Sequence, residues 1–185
     1  MTLLTIYPDT QPEAGVRYDD VAAITEQLQA IEVQFERWQA EQAFAQDAKP
    51  ADVLLAYDSA VQRLKQQYGF QSADVISLKA DNPNAAQLRQ KFLAEHTHSD
   101  FEVRFFVEGK GLFFLHVGDR VYALLCEQGD LISVPAETKH WFDMGARPDF
   151  KCIRLFTDEA GWVAEYTGDS IAATFPDFDQ YLTAQ

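Results

Sequence analysis

Residues 96–109 read HTHSDFEVRFFVEG and set His96, His98, Glu102 and Arg104 in one short run. The chain has 4 histidines, and a third potential partner, His140, stands in GDLISVPAETKHWFD. Three neutral imidazoles and one carboxylate form a donor set suited to a divalent transition metal such as iron, nickel, manganese or zinc, whereas calcium and magnesium want more oxygen. Four protein ligands would leave two octahedral positions for water or a chelating substrate, the condition for catalysis by coordination.

Geometry limits how these residues can meet. Six steps of straight strand span roughly 20 Å, too far for His96 and Glu102 to share one ion. Ser99 and Asp100 are turn-forming residues, so the sequence predicts a strand ending in His-Thr-His, a reversal, and a new strand from Phe101. The two-residue period of a strand then turns His96 with His98, and Glu102 with Arg104, toward one interior.

Arg104 lies among Phe101, Val103, Phe105 and Phe106, where a guanidinium needs a partner. Two readings stand: an ion pair with an interior acid, or an anion clamp beside the metal, which would make it a catalytic residue. Arg154, in KCIRLF, poses the same question, with solvent or an Asp or Glu as its plainer partner. Phe105, Phe142, Arg154 and Trp162 are candidates for contact with substrate; the alternative for the aromatic residues is core filling. Phe142 follows His140 by two residues and should share its face. His116, in LFFLHVG, alternates out of phase with no acid or imidazole near it in sequence, and is expected to be an exposed or turn-proximal structural histidine.

The elements that must position these residues change character along the chain. Residues 20–31 show helical spacing behind Asp19 as cap, AIEVQFERW alternates as a strand with one wet face, and 51–68 is helical with Gly69 as its stop. VISL at 75–78 is a short strand, and Asn82-Pro83 opens a helix to about Leu93. From His96 onward come FEVRFFV, GLFFLHV, VYALLC, DLISVP, HWFDM, KCIRLF and WVAEY, separated by EGKG, GDR, EQGD and GARPD, which read as tight turns. That spacing belongs to a sandwich or barrel. The chain ends in loop and short helix around PDFDQYL. The expected organisation is one domain over 1–185: a mixed helix and strand part over 1–94, core strands over 95–166, and a tail over 167–185.

Composition narrows the partners. Lys and Arg number 15 against 29 Asp and Glu, a formal charge of -14. That balance repels phosphate backbones and anionic bilayers, so nucleic acid and membrane are not expected partners. Hydrophobic residues make up 47% of the chain, enough for a well-formed core. The N-terminal apolar run stops before Pro8, too short for a leader or membrane span, and Cys126 and Cys152 sit in apolar strands as small buried residues; a cytoplasmic protein without a disulfide is expected.

The pattern His96-x-His98-x3-Glu102-x6-Gly109, then Gly129-x5-Pro135-x4-His140, resembles the two motifs of the cupins, whose fold is a jelly-roll barrel. Within cupins, EHTHSDFEVRFFVEG, PAETKHWFDMG and the preceding helical half resemble the acireductone dioxygenase family over most of the chain. The resemblance implies a mainly β, double-stranded β-helix with helices mostly from the N-terminal half. It also implies one Fe(II) or Ni(II) per chain, held by His96, His98, Glu102 and His140. Arg104 would hold the substrate dianion, Glu95 would assist metal loading, and Phe101 would relay conformational change. The implied reaction, in methionine salvage, cleaves 1,2-dihydroxy-3-keto-5-methylthiopentene with O2. Formate and the 2-keto acid 2-keto-4-methylthiobutyrate come from the Fe(II) form; formate, CO and 3-methylthiopropionate come from the Ni(II) form. A monomer is implied too. The alternatives are a cupin that binds a small ligand without catalysis, and a cupin isomerase or other dioxygenase. Three positions depart from the cupin pattern: Gln90 and Glu137 stand where glycine is usual, and Met144 where asparagine is usual. Glu137 raises the question of how the turn before His140 is shaped.

Overall fold

The computed structural model describes residues 1–40, 42–45, 47–158 and 163–184. In chain order these form β1 (Leu3–Pro8), β2 (Val16–Tyr18), α1 (Val21–Gln29), β3 (Gln34–Arg37), α2 (Pro50–Ala56), α3 (Asp58–Tyr68), β4 (Ser72–Lys79), α4 (Ala85–Leu93) and β5 (His96–Thr97). There follow β6 (Glu102–Val117), β7 (Arg120–Glu127), β8 (Asp130–Val134), β9 (Lys139–Asp143), β10 (Asp149–Phe156), β11 (Glu165–Tyr166) and α5 (Phe178–Thr183).

The long strand β6 belongs to two antiparallel sheets at once. Its first half pairs with β8 and β10, giving the order β3-β8-β6-β10-β4. Its second half pairs with β7 and β9, giving β11-β5-β9-β6-β7-β1-β2. Gly109 is the corner: its φ is +69°, and a Cβ there would fall 1.8 Å from the carbonyl oxygen of Asp149. The run EGKG is therefore a bend within one strand, not the tight turn that its composition suggests. A glycine-rich run and a strand corner both need backbone freedom, so composition alone cannot separate them.

The two sheets face each other and bury three apolar layers. Phe106, Phe113, Phe142, Phe150 and Ile132 lie between the sheets. Val103, Phe105, Val107, Ile153 and Leu155 face outward from the first sheet and are covered by Val53, Tyr57, Val61 and Leu64 of the α2–α3 region. Leu112, Phe114, Ala123 and Trp141 face outward from the second sheet and pack under Phe175, Phe178 and Tyr181. The alternation along β6 produces this, since successive side chains enter opposite layers. A mainly β jelly roll with helices from the N-terminal half is what the motifs implied.

Several local expectations shift. The cap of α1 is Asp20, whose Oδ1 accepts from Ala23 N at 2.9 Å, not Asp19. The helix over 51–68 is two helices, because Tyr57 leaves the helical region at φ -105°, ψ 16°. Gly69 does stop α3, at φ +78°. Asn82 and Pro83 precede α4 without capping it; Asn82 Oδ1 instead accepts from Asn84 N in a turn. Of the described part of WVAEY, residues 163–166, only Glu165 and Tyr166 are strand. Both cysteines are buried and free. No described helix is long and apolar enough to cross a membrane.

Candidate metal centre

The chain bends at Ser99 and Asp100 between β5 and β6, and β9 brings the second metal segment beside the first. Backbone pairing sets His96 opposite His140. His98 follows on the same face, and the ring centroids lie 5.1 Å (His96–His98), 4.4 Å (His96–His140) and 5.2 Å (His98–His140) apart. The ligand atoms of these three buried imidazoles all lie within 4.8 Å of one another. Glu102 Oε2 stands 2.7 Å from His140 Nε2 and 3.4 Å from His98 Nε2.

Each ring is oriented from behind. His96 Nδ1 faces Ala94 O at 2.7 Å, His140 Nδ1 faces Thr138 O at 2.8 Å, and His98 Nδ1 faces Val163 O at 3.3 Å. A carbonyl only accepts, so each Nδ1 carries a proton, and in the neutral ring Nε2 presents a lone pair inward. Burial, with His140 nearby, lowers the pKa of His96 to about 4, so this ring is neutral at neutral pH. Burial alone would raise the Glu102 carboxyl, but the Arg104 guanidinium outweighs it and holds the group well below the usual carboxylate range.

These residues fit a cation. Glu102 Oε2 and His140 Nε2 are both buried and make no well-formed hydrogen bond among the described residues. Two acceptor atoms 2.7 Å apart repel unless a positive centre lies between them or beside them, and imidazole with carboxylate is a transition-metal donor set. Glu137, standing where cupins usually have glycine, takes up a left-handed conformation at φ +62°, one that glycine adopts without strain. Its N–H donates to His98 O at 2.8 Å, which ties the turn before His140 to the first histidine segment. The departure leaves His140 in place.

Residues 4–164 match the model of the ARD/ARD' family. The chain is 58% identical over 182 residues to the acireductone dioxygenase of Methylococcus capsulatus, covering 98% of each. It is 52% identical to that of Aquifex aeolicus, covering 98% of this chain and 99% of the relative. Its structure is similar to that of acireductone dioxygenase from Bacillus anthracis with a cadmium ion in the active centre: TM-score 0.80, 30% identity, 90% of this chain and 98% of that one. The chain belongs to the acireductone dioxygenase family. It is therefore a dioxygenase, and its three clustered histidines make a metal-binding site.

The other candidates for this dioxygenase site scatter. Arg104 has the interior acid of its first reading: Nε donates to Glu102 Oε1 at 2.5 Å, and the guanidinium carbon also sits 5.9, 5.4 and 5.1 Å from the rings of Phe92, Phe113 and Phe142. Phe142 does share the interior with His140. Phe105 does not: it points out of the barrel, its ring 5.5 Å from Trp38 and 5.4 Å from Tyr57. The period that turns Arg104 inward turns Phe105 outward. Arg154 lies opposite Arg104 in register, but its guanidinium is gripped by Asp74 at 2.8 and 2.5 Å, the plainer of its two readings. Phe101 is 45% exposed, in the loop before β6. Trp162 lies outside the described residues. The Glu95 carboxylate is on the far side of the wall from the cluster, bound to His116 and Thr167. His116 is turn-proximal, two residues before Gly118, and not exposed: its side chain is only 11% exposed, and Glu95 is its acid partner.

Sequence reasoning missed Phe92 and Phe113, which close around Arg104, and Tyr166, whose ring is 5.8 Å from His96. Phe113 could have been found by continuing the alternation of β6. Phe92 could not, because it arrives from α4.

Proposed function

We propose that the chain cleaves the acireductone 1,2-dihydroxy-3-keto-5-methylthiopentene with O2 in methionine salvage, with Fe(II) or Ni(II) held by His96, His98, Glu102 and His140. The observation that carries this is the inward convergence of three Nε2 atoms and Glu102 Oε2 beside Arg104. A divalent ion bound there would supply a template and Lewis acid for a chelating enediolate. The chain's own residues do the rest. Glu102 contributes one negative charge, Arg104 one positive, and a dianionic substrate brings the inner site near neutrality. Arg104 aims its fork at the substrate's oxygens, held by Glu102 and by Phe92, Phe113 and Phe142, which keep water from the guanidinium. Ni(II) binds such donors more tightly than Fe(II), so the occupant follows supply.

The reading includes one domain acting as a cytoplasmic monomer, supported by the two free buried thiols and by the family resemblance. The test is anaerobic mixing of enediolate with enzyme loaded with Fe(II) or with Ni(II), then addition of O2. Formate is expected from both, the 2-keto acid only with Fe(II), and CO with 3-methylthiopropionate only with Ni(II). Absence of formate with both metals overturns the reading.

A further inference from the structure

The strand that presents His96 has little backbone hold of its own. β5 is two residues long, paired to β9 at one position and to the equally short β11 at two. His140, by contrast, sits on β9, which pairs with β6 at five successive positions, Leu112↔Asp143 to His116↔Lys139. Short two-stranded pairings are marginal alone, so β5 depends on side-chain anchors.

One such anchor is Glu95. The Glu95 side chain is fully buried. Its Oε2 lies 2.8 Å from His116 Nδ1, and its Oε1 accepts from Thr167 Oγ1 at 2.8 Å. The Glu95 carbonyl accepts from Thr167 N at 3.1 Å. Of these partners only His116 belongs to the barrel wall; it lies on β6 between β7 and β9, and its Nε2 faces Asp9 Oδ2 at 3.7 Å.

We propose that His116 is a positioning residue for the metal centre: through the Glu95 carboxylate it fixes the start of β5 and so the orientation of His96. This rests on the metal reading above. The link to the ring is short. His96 Nδ1 donates to Ala94 O, and that carbonyl belongs to the peptide unit that ends at the Glu95 nitrogen. Anchoring Glu95 therefore fixes the acceptor that sets the angle of the imidazole. Releasing it lets that peptide plane rotate, and His96 Nε2 swings away from the other donors. Partners that orient a ligating histidine typically change metal affinity by about 10–100-fold when removed.

The test is Co(II) titration of the metal-stripped full chain, followed by its visible absorption bands, with thermal unfolding as the control. His116→Leu keeps volume and removes the donor; it is expected to weaken Co(II) binding by about 10–100-fold and to change the band shape. His116→Asn offers an amide N–H near the place of Nδ1 and is expected to restore both affinity and spectrum. His116→Gln, whose amide falls nearer Nε2, is expected to behave like the leucine variant and decides the matter if that variant does not fold. Co(II) binding by His116→Leu or His116→Gln with the affinity and spectrum of the unaltered protein overturns the proposal, as does equal loss in the asparagine variant. Failure of the unaltered protein to bind Co(II) overturns the metal reading and this inference together, which separates the two cases.

Discussion

Inside the barrel, Arg104 Nε meets Glu102 Oε1 at 2.5 Å, with the Glu102 side chain 2% exposed. A few residues along the same strand, Glu108 Oε2 meets Lys151 Nζ at 3.2 Å, with Lys151 equally buried but Glu108 27% exposed. A bulge separates the pairs: Phe106 faces Cys152 and Glu108 faces Lys151, so Val107 is the extra residue. In a strand without the bulge the two-residue period would put Glu108 on the inner face with Glu102, Arg104 and Phe106. The inner carboxylate gives one oxygen to arginine and turns the other to the histidines. The outer one has a second lysine, Lys79, at 3.6 Å, while the ring of Phe44 covers Lys151 at 4.6 Å. Burial of charge alone does not mark a site; a carboxylate oxygen held among acceptors does.

The largest effect should come from breaking the inner pair. In Arg104→Met the Glu102 charge stays buried without its partner, which costs about 3–5 kcal/mol in comparable cases. The metal-free variant should lose that much stability by urea unfolding, and the metal-loaded one clearly less, because the cation takes over the compensation. Turnover of the enediolate should fall by about 100–1000-fold, the scale of a lost transition-state charge contact. Equal destabilisation with and without metal would show that Glu102 does not face the ion.

Gly109→Ala attacks the corner next to the outer pair. At φ +69° its Cβ would lie 1.8 Å from Asp149 O and 2.8 Å from Phe150 Cα, both backbone atoms that cannot step aside. Strain and displacement together should cost roughly 3 kcal/mol, read as a lower urea midpoint. A variant that folds with the stability of the unaltered protein would show that the corner can be made in another way.

Much of the inner region was legible because its chemistry lies in local patterns. The two-residue period aligned His96 with His98 and Glu102 with Arg104, and Ser99-Asp100 marked the break between their two strands. The same period excludes Phe105 once Arg104 is taken as inward. What lay beyond the sequence was contact between distant elements. Glu95 and His116 stand 21 residues apart with nothing between them to signal a bond, and Phe92 reaches Arg104 only because α4 packs on β9. The bulge at Val107 was equally hidden, since FEVRFFVEG alternates no differently from a regular strand.

The smallest effect should come from Lys151→Met, and its smallness is the point of the comparison. Removing one member of a buried pair is ordinarily costly, but Glu108 keeps Lys79 and partial access to water, so little charge is left stranded. Methionine fills nearly the volume of the lysine stem, and its sulfur can replace the contact of the ammonium with Phe44. Stability should change by no more than about 1 kcal/mol by urea unfolding, with kcat and KM for the enediolate unaltered. A loss approaching that of Arg104→Met would mean that the outer pair is as sealed as the inner one, and that exposure of Glu108 does not relieve it. A change in kcat at unchanged stability would mean that the wall of the barrel transmits strain from Lys151 to Arg104 through β6, where Cys152, next to Lys151 in β10, pairs with Phe106 in the interior.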